Sequence, residues 1–406
     1  MSLEKVTFTN KTGDTLVGRL ELPSHQEPHN FALFAHCFTC TKNLSAVRNI
    51  SRELTAKGFG VLRFDFTGLG ESEGDFENTN FSGNVSDLIA AAAFLEDQYK
   101  APVLLIGHSL GGAAVIYAAD AISTIKAVAT IGAPSDPAHV AHLFKSDLQE
   151  IEANGKAVVN LSGRDFTIKK QFIEDLRTKS MPQSIAQLRK PILIMHSPQD
   201  TTVGIKNAEE IYKAAHHPKS FVSLDGADHL LMQKKDSEYV GTVISGWAVR
   251  YVDIPETPEL KSKHQIVASL DHDAGFSTPM KIGNHQLMAD EPLDVGGKDY
   301  GPSPYELVAA GLAACTAMTI QMYARRKKWH VAQVEVHISH DKSYAKDCED
   351  CDTTASKIDT FTRDITLKGD LNTQQRERLL EIANKCPVHR TLYSETRVIT
   401  NLHDKL

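Results

Sequence analysis

Short apolar segments alternate with longer amphipathic segments through much of the chain. The apolar segments predict buried strands, and the amphipathic ones, such as 81–99 and 207–215, predict helices. The predicted strands lie at 31–35, 60–64, 103–106, 127–131, 192–195 and 221–224. This alternation predicts an α/β fold in which helices cover both faces of a mostly parallel sheet.

Two regions depart from that alternation. Residues 5–23 alternate apolar and polar positions around the turn TGD at 12–14, which predicts a strand pair. The interval 133–190 is long, polar and helical in pattern, and it contains the segment GRDF at 163–166. We predict that this interval is a lid over a substrate pocket, because insertions at the carboxyl edge of a sheet often have that role. The alternative is a pair of ordinary connecting helices.

A polar segment with two prolines at 253–262 predicts a linker between two domains, 1–252 and 263–406. A chain of 406 residues also exceeds the usual size of one core. In residues 263–406 the pattern predicts short strands first. It then predicts a helix at 304–328, a strand at 331–339, a polar loop, a strand at 361–367, a helix at 374–384 and a final strand at 396–402. This order predicts a smaller α+β domain.

Composition narrows the classes of partner. A formal charge of −7 argues against general binding to nucleic acid or anionic membranes, so we expect a small-molecule substrate. The N-terminus lacks the pattern of a secretion signal, which predicts a cytoplasmic protein, and six cysteines in this length predict reduced thiols. Residues 307–324 resemble a membrane span but include polar positions, which favours a buried helix. No cofactor or metal is expected.

The pentapeptide GHSLG at 107–111 lies between a predicted strand and a helix of small residues. This context is typical of a nucleophile elbow, where glycines permit a sharp turn that exposes the Ser109 hydroxyl. The Leu110 N–H, at the start of the helix, points toward the position where negative charge develops on an attacked carbonyl. The motif therefore predicts that Ser109 is a catalytic nucleophile.

A nucleophilic serine needs a base and a carboxylate that orients the base, in the chain order Ser, Asp or Glu, His. Asp200 and His229 satisfy that order, and each follows a predicted strand. The alternative is that Asp225 or Asp228 orients the histidine. Three other candidates are assigned structural roles, namely His108, His196 and Asp65.

The loop HCFTC at 36–40 and the segment RFDFTGLGES at 63–72, with the elbow, make residues 1 to about 250 resemble the α/β-hydrolase superfamily, in particular its lipase, esterase and peptidase-like members. The resemblance implies that the Phe38 N–H joins the Leu110 N–H in an oxyanion hole. It places His36 and Cys37 at the substrate pocket, where relatives carry a histidine-glycine pair. The implied activity is hydrolysis of an ester, thioester or amide of a small acyl group through an acyl-enzyme.

Two cysteine motifs lie in the second half, one containing Cys315 in GPSPYELVAAGLAACT at 301–316 and one containing Cys386 in NKCPVHR at 384–390. With the surrounding elements they resemble the OsmC family, which includes the organic hydroperoxide resistance proteins, over residues 262–406. The resemblance implies an intertwined homodimer. It also implies that Cys315 attacks an organic hydroperoxide, that Cys386 resolves the product to a disulfide, and that a dithiol restores both thiols.

The chain departs from the hydroperoxide enzymes in the groups that activate the thiolate. Tyr305 stands where those enzymes have a glutamate, Glu306 is displaced by one position, and no arginine occurs between Lys261 and Ala324. A degenerate dimerisation or ligand-binding module is therefore the alternative to peroxide reduction.

Two CxxC pairs remain, Cys37 with Cys40 and Cys348 with Cys351. Either pair is compatible with half of a zinc site or with a redox couple, although no neighbouring histidine completes a zinc set. Oxidation of the first pair would link hydrolysis to redox state through the oxyanion hole. For the whole chain the favoured function is serine hydrolysis, and the alternatives are a dimeric acyl-ligand-binding protein and an acyltransferase.

Overall fold

The computed structural model describes residues 2–161, 163–255, 259–344 and 357–403. The chain divides into two compact units, Met1–Glu259 and Leu260–Leu406. Each unit contains its own cluster of buried apolar side chains. The units are therefore described separately.

The first unit contains a large sheet and the helices that cover it. Its strands are β1 (Ser2–Thr9), β2 (Thr15–Leu22), β3 (Asn30–Ala35), β4 (Phe59–Phe64), β5 (Pro102–His108), β6 (Ala127–Ile131), β7 (Lys156–Leu161), β8 (Arg164–Lys169), β9 (Ile192–His196) and β10 (Lys219–Ser223). Its helices are α1 (Ser45–Ala56), α2 (Phe81–Gln98), α3 (Leu110–Ala121), α4 (Leu148–Asn154), α5 (Lys170–Arg177), α6 (Met181–Gln187), α7 (Lys206–Ala214) and α8 (Lys234–Ala248).

Eight strands form the central sheet in the order β1-β2-β4-β3-β5-β6-β9-β10. The first two strands pair antiparallel and the other six run parallel, so the sheet is mixed. Every residue of β4, β6 and β9 is buried, as expected of strands covered on both faces. Helices α1 and α8 contribute to the apolar cluster on one face, and α2 and α3 contribute to the cluster on the other. The predicted α/β architecture is confirmed.

The interval predicted as helical, 133–190, contains helices but also an antiparallel hairpin, β7-β8. The segment GRDF at 163–166 lies at the start of β8, so the helical assignment there is wrong. In β7 the side chains of Ala157, Val159 and Leu161 are buried and the intervening ones are exposed. This alternation has the period of a half-buried strand, and its polar positions resembled a solvated helix in the sequence.

The second unit combines two small antiparallel sheets with three helices in its described part. Its elements are β11 (Ile266–Ala268), β12 (Thr278–Ile282), β13 (His285–Ala289), α9 (Pro304–Lys327), β14 (His330–Tyr344), β15 (Lys357–Asp370), α10 (Thr373–Ala383) and α11 (Pro387–Tyr393). Strands β11, β12 and β13 form one sheet, and β14 pairs with β15. Buried residues of α9 and α10, including Ile320 and Leu379, form the core of this unit.

Two expectations for the second unit are wrong in the single chain. Residues 396–402 form no strand, because no strand edge in the described part of the chain pairs with them, and Val398 and Ile399 are exposed. Helix α9 forms as predicted but is not buried: in its most apolar 18-residue window only 22% is buried, and Met322 is 71% exposed. Its length and composition would suffice to cross a membrane, which is weak evidence for a span.

Candidate active site

Ser109 lies at the sharp turn between β5 and α3. Its φ of 55° is in the left-handed region, and its N–H donates to the Ile131 carbonyl over 2.8 Å. A Cβ at Gly107 would lie 2.3 Å from the Gly111 oxygen, and one at Gly111 would lie 2.4 Å from the His36 oxygen. Neither position accepts a side chain, so the two glycines make this turn possible.

The three side chains predicted as nucleophile, base and orienting acid lie in one hydrogen-bonded chain. The Ser109 hydroxyl is 3.0 Å from His229 Nε2, and His229 Nδ1 is 2.7 Å from Asp200 Oδ2. Asp200 Oδ1 accepts the N–H groups of Thr202 and Val203 over 2.9 and 2.8 Å. Asp200 follows β9 and His229 follows β10, so parallel strands bring both to the edge of the sheet where Ser109 lies.

The Asp200 carboxylate is stabilised in its charged form. Burial alone would raise its pKa, but the hydrogen bonds from His229 and from the two backbone N–H groups outweigh burial and lower it. The alternative acids are bonded locally, because Asp225 accepts the Ser223 hydroxyl over 2.7 Å and Asp228 accepts the Leu230 N–H over 2.9 Å. The geometry therefore brings only Asp200, of these three, to the His229 ring.

Two further histidines hold the loops of the site. His108 Nε2 donates to the His229 carbonyl over 2.7 Å, and His196 Nε2 donates to the Val203 carbonyl over 2.6 Å. Burial, together with the nearby charge of His229, lowers the pKa of His108 to about 3. His108 therefore stays neutral near pH 7 and acts through its hydrogen bond, in agreement with its predicted structural role.

Gly132 is a residue of the site that sequence reasoning missed. Its φ is 53°, and a Cβ there would lie 3.3 Å from Asp200 Oδ2 and 3.4 Å from His229 Nδ1. The glycine leaves room for the acid and the imidazole to meet. The only signal in the sequence was a glycine directly after the predicted strand 127–131.

The loop after β3 carries one predicted oxyanion donor. Neither the Phe38 N–H nor the Leu110 N–H has a hydrogen-bond acceptor in the described chain, and both residues line the cavity beside Ser109. Cys37 also lines that cavity. His36 does not: it is 1% exposed and its Nδ1 donates to the Cys37 carbonyl, because the ring packs inward against Phe66.

Cys37 and Cys40 are joined by a disulfide. The expectation of reduced thiols is therefore wrong for this pair, and a zinc ion has no free thiolate there. The bond closes a short loop around Thr39, whose φ of 59° is unusual for a β-branched residue. Spacing identified the pair, but only the folded loop brings the sulfurs together. Cys348 and Cys351 lie outside the described residues.

Buried charged side chains stabilise the loop that follows β3. The Lys42 ammonium, with no exposed surface, pairs with the Asp65 carboxylate and lies 2.7 Å from Glu71 Oε2. Asp65 also accepts the Lys42 N–H over 2.7 Å and the Glu71 N–H over 2.9 Å. Arg63 donates to the Lys42 carbonyl over 2.7 Å. Asp65 therefore braces the loop through hydrogen bonds, as predicted.

We expect Lys42→Met to lower the free energy of unfolding by about 3 to 5 kcal/mol, because it leaves the Asp65 carboxylate buried without its cation. Urea unfolding of the full chain, followed by tryptophan fluorescence, measures this change. Lys5→Met is the matched control: Lys5 also pairs with Glu71, but its side chain is 51% exposed, so the loss should stay below about 1 kcal/mol. Equal losses in the two variants would contradict the proposed bracing.

A cavity of about 530 Å³ opens beside Ser109 and His229. The loop 37–41 forms one wall, and the 3₁₀ helix Pro137–Phe144 forms another. The hairpin β7-β8 contributes Asn160, Leu161 and Arg164. The insertion 133–190 thus lines the cavity that contains the serine.

Cys315 and Cys386, the two predicted redox cysteines of the second unit, also lie close together. Cys315 on α9 is half-buried, Cys386 at the start of α11 is buried, and the Cys315 thiol is among the groups that lower the pKa of Cys386. Burial alone would raise the pKa of Cys386. Hydrogen bonds from Cys315, the His389 and Val388 N–H groups and the Thr316 hydroxyl outweigh burial and lower it.

Arg363 is a cation bonded to neighbours of these cysteines that sequence reasoning missed. From β15 it donates to the Thr316 hydroxyl over 2.9 Å and lies 3.1 Å from His389 Nδ1. Tyr305 stacks on His340 instead, with ring centroids 4.5 Å apart, and Glu306 caps the N-terminus of α9. Arg363 lies well beyond the segment between Lys261 and Ala324 in the chain, and strand pairing brings it back to α9.

Comparison with known families agrees with this fold. Residues 32–241, just over half of the chain, match the model of the alpha/beta hydrolase family, and residues 296–401 match that of OsmC-like proteins. The chain belongs to the alpha/beta hydrolase family and carries a C-terminal OsmC-like region.

Individual relatives cover between about half and three fifths of this chain. The esterase domain of a Rhodothermus marinus protein is 52% identical, with a TM-score of 0.52, over 62% of this chain and 99% of that one. Mouse mitochondrial palmitoyl-protein thioesterase ABHD10 is 25% identical over 48% of this chain and 67% of its own length. The uncharacterized protein YfhR of Salmonella typhi is 23% identical over 56% of this chain and 74% of its own. These similarities support hydrolase activity for the first unit.

Proposed function

We propose that the first unit is a serine hydrolase in which Ser109 forms an acyl-enzyme. The observation that carries this proposal is the hydrogen-bonded chain from Ser109 through His229 to Asp200 at the edge of an open cavity. His229 takes the serine proton as the hydroxyl oxygen attacks a carbonyl carbon, and Asp200 stabilises the imidazolium. The Phe38 and Leu110 N–H groups bind the oxyanion. The leaving group departs with the proton from His229, and water activated by the same ring then releases the acid.

The substrates of this reaction are carboxylic esters or thioesters of small acyl groups, and amides are a further class with the same carbonyl chemistry. The similarity to a Rhodothermus marinus esterase domain and to a palmitoyl-protein thioesterase supports this choice. The cavity volume is also within the range of small-molecule sites.

Labelling with a fluorophosphonate tests the proposal. We expect one covalent adduct, located at Ser109 by mass spectrometry, and turnover of a series of acyl esters of increasing length. Heat-unfolded protein is the control, because reactivity depends on the folded hydrogen-bonded chain. Absence of both adduct and turnover would leave the alternative of an acyl-ligand-binding protein. Products formed with added alcohols or thiols would identify an acyltransferase instead.

We propose a second activity for the second unit, reduction of organic hydroperoxides. It is supported by the effect of the Cys315 thiol on the pKa of Cys386 and by the Arg363 guanidinium, which donates to the hydroxyl of Thr316, next to Cys315 in the chain. The Cys315 thiolate, on the more exposed cysteine, attacks the peroxide O–O bond to give a sulfenic acid and an alcohol. Cys386 then attacks that sulfur, releasing water and forming a disulfide, and an external dithiol reduces it. A degenerate module would keep the fold without this reaction.

We expect reduced protein to lose two more thiols with cumene hydroperoxide than a Cys315→Ser, Cys386→Ser double variant does. The difference removes any contribution from the CxxC pairs, and a thiol-reactive dye measures it. The single Cys386→Ser variant should stop at a sulfenic acid trapped by dimedone. Equal thiol counts in the native protein and the double variant would favour the degenerate module.

We further propose that the chain is cytoplasmic and assembles as a homodimer through the second unit. The exposed side of α9, which includes Val308, Met318 and Met322, supports the second part. Burial of this surface against another copy would remove apolar area from water.

A further inference from the structure

Arg164 lies on the cavity-facing side of the β7-β8 hairpin. Its register partner is Leu161, which is buried, and strand alternation places Arg164 on the same face as Phe166 and the buried Ile168. Asp165 points to the opposite face and accepts the Asn160 side-chain amide over 2.7 Å. The arginine is thus the charged residue on a face that is otherwise apolar.

The guanidinium is held in place by two contacts. One terminal N–H donates to the Thr39 carbonyl in the loop closed by the Cys37–Cys40 disulfide. The guanidinium carbon lies 5.4 Å from the centroid of the Phe166 ring. Its other nitrogen atoms have no hydrogen-bond acceptor, and its charge has no carboxylate partner, within the ranges that the structure describes. The residue is exposed and is part of the cavity lining.

The cavity around this arginine contains no negative group in its described lining. Its ionisable side chains, apart from the disulfide-bonded cysteines, are Arg164 and the imidazoles of His139, His142 and His229, with no aspartate or glutamate. A guanidinium presents its donors in a planar fork that fits a carboxylate or phosphate. Such a fork, held in the cavity that contains the nucleophile and lacking an acidic partner, is suited to bind an anionic group of the substrate.

We propose that this hydrolase prefers acyl substrates with a second, anionic oxygen group, a carboxylate or a phosphate, which Arg164 binds within the cavity. The inference rests on the proposed function, since it concerns the same cavity. The anionic group lies away from the scissile bond, on the acyl chain or on the leaving group. Its binding to Arg164 orients the carbonyl against Ser109.

Two matched substrate pairs test the inference. The N-acetylcysteamine thioesters of adipic and hexanoic acid differ by a terminal carboxylate on the acyl chain. Hexanoyl-4'-phosphopantetheine and hexanoyl-pantetheine differ only by a phosphate on the leaving group. In the native protein, at least one anionic member should have the higher kcat/KM.

Arg164→Gln should lower kcat/KM for the preferred anionic substrate roughly 10- to 100-fold relative to its neutral partner, as expected for loss of a charge-assisted hydrogen bond. Arg164→Lys should retain part of the preference because it keeps the charge. Lys156→Gln removes an equal charge from the same hairpin, at an exposed position outside the cavity lining, and should leave the ratio unchanged.

The ratio of kcat/KM between the anionic and the neutral substrate separates two roles of Arg164, binding of an anion and support of the Thr39 loop. If Arg164 acted only by supporting the Thr39 loop, its loss would slow both members of each pair by the same factor, and that result would overturn the inference. Lack of any anionic preference in the native protein would overturn it as well. In both cases, continued Ser109-dependent turnover of a neutral ester or thioester would leave the proposed hydrolase function standing, whereas absence of both turnover and a fluorophosphonate adduct would reject that function.

Discussion

Alanine in place of Ser109 should lower kcat for a short nitrophenyl ester by about 10⁵- to 10⁶-fold, the scale observed when a serine hydrolase loses its nucleophile. The loss is large because no acyl-enzyme forms, and the remaining N–H donors can only assist attack by water. The burst of nitrophenol in the first turnover should also disappear. Stopped-flow absorbance and steady-state rates measure both effects.

Ser135→Ala provides the matched control for this experiment. Ser135 lies outside the hydrogen-bonded chain, and its hydroxyl bonds with Asn207 and Glu210. Its replacement should leave the burst intact. A Ser109→Ala protein that is folded, as judged by circular dichroism, and still shows the burst would rule out Ser109 as the nucleophile.

Replacing Asp200 with asparagine should lower kcat by about 10⁴-fold near neutral pH with little change in the fold. The carboxylate accepts the Nδ1 proton of His229, so Nε2 stays free to accept the Ser109 proton. An asparagine amide favours the other tautomer and does not stabilise an imidazolium. The pH dependence of kcat, measured for the native and variant proteins, reports this change.

Asp225→Asn and Asp228→Asn are the controls, since sequence left those residues as alternatives and the structure bonds them elsewhere. Both should keep activity within a few-fold of the native protein. The lowered folded-state pKa of Asp200 means that its carboxylate stabilises the fold above its usual pKa, and this contribution is lost as pH falls through the lowered value. If Asp225→Asn proved as damaging as Asp200→Asn, the assignment of the orienting acid would be wrong.

Much of the fold was predictable because its signals are local. Runs of apolar residues long enough for one strand indicated the parallel strands, and these form with shifts of one or two residues at their ends. The β7-β8 hairpin was missed because its buried positions alternate with polar ones in a segment that also fits a helical pattern. The exposure of α9 was missed because an apolar helix does not reveal how many elements of its own chain cover it.

The candidate site was also predictable only where its signals are local. The motif GHSLG specified its own turn. A side chain at 107 or 111 would clash with backbone atoms that lie a few residues away or in the adjacent strand, so glycine is needed at both positions. Chain order and position after strands were enough to select Asp200 and His229 as candidates. They were not enough to choose Asp200 over Asp225 and Asp228, because that choice depends on which carboxylate reaches Nδ1.

Sequence alone thus specified the strand-helix alternation, the elbow at Ser109 and a short set of partners, because backbone sterics and apolar periodicity act over a few residues. Folding determined the contacts between distant positions: His229 with Ser109, 120 residues apart, and Arg164 with Thr39, 125 apart. The same holds for the space left by Gly132 and for the bond of Arg363 with Thr316, next to Cys315. These contacts depend on how strands and loops pack in three dimensions, and no short stretch of sequence carries that information.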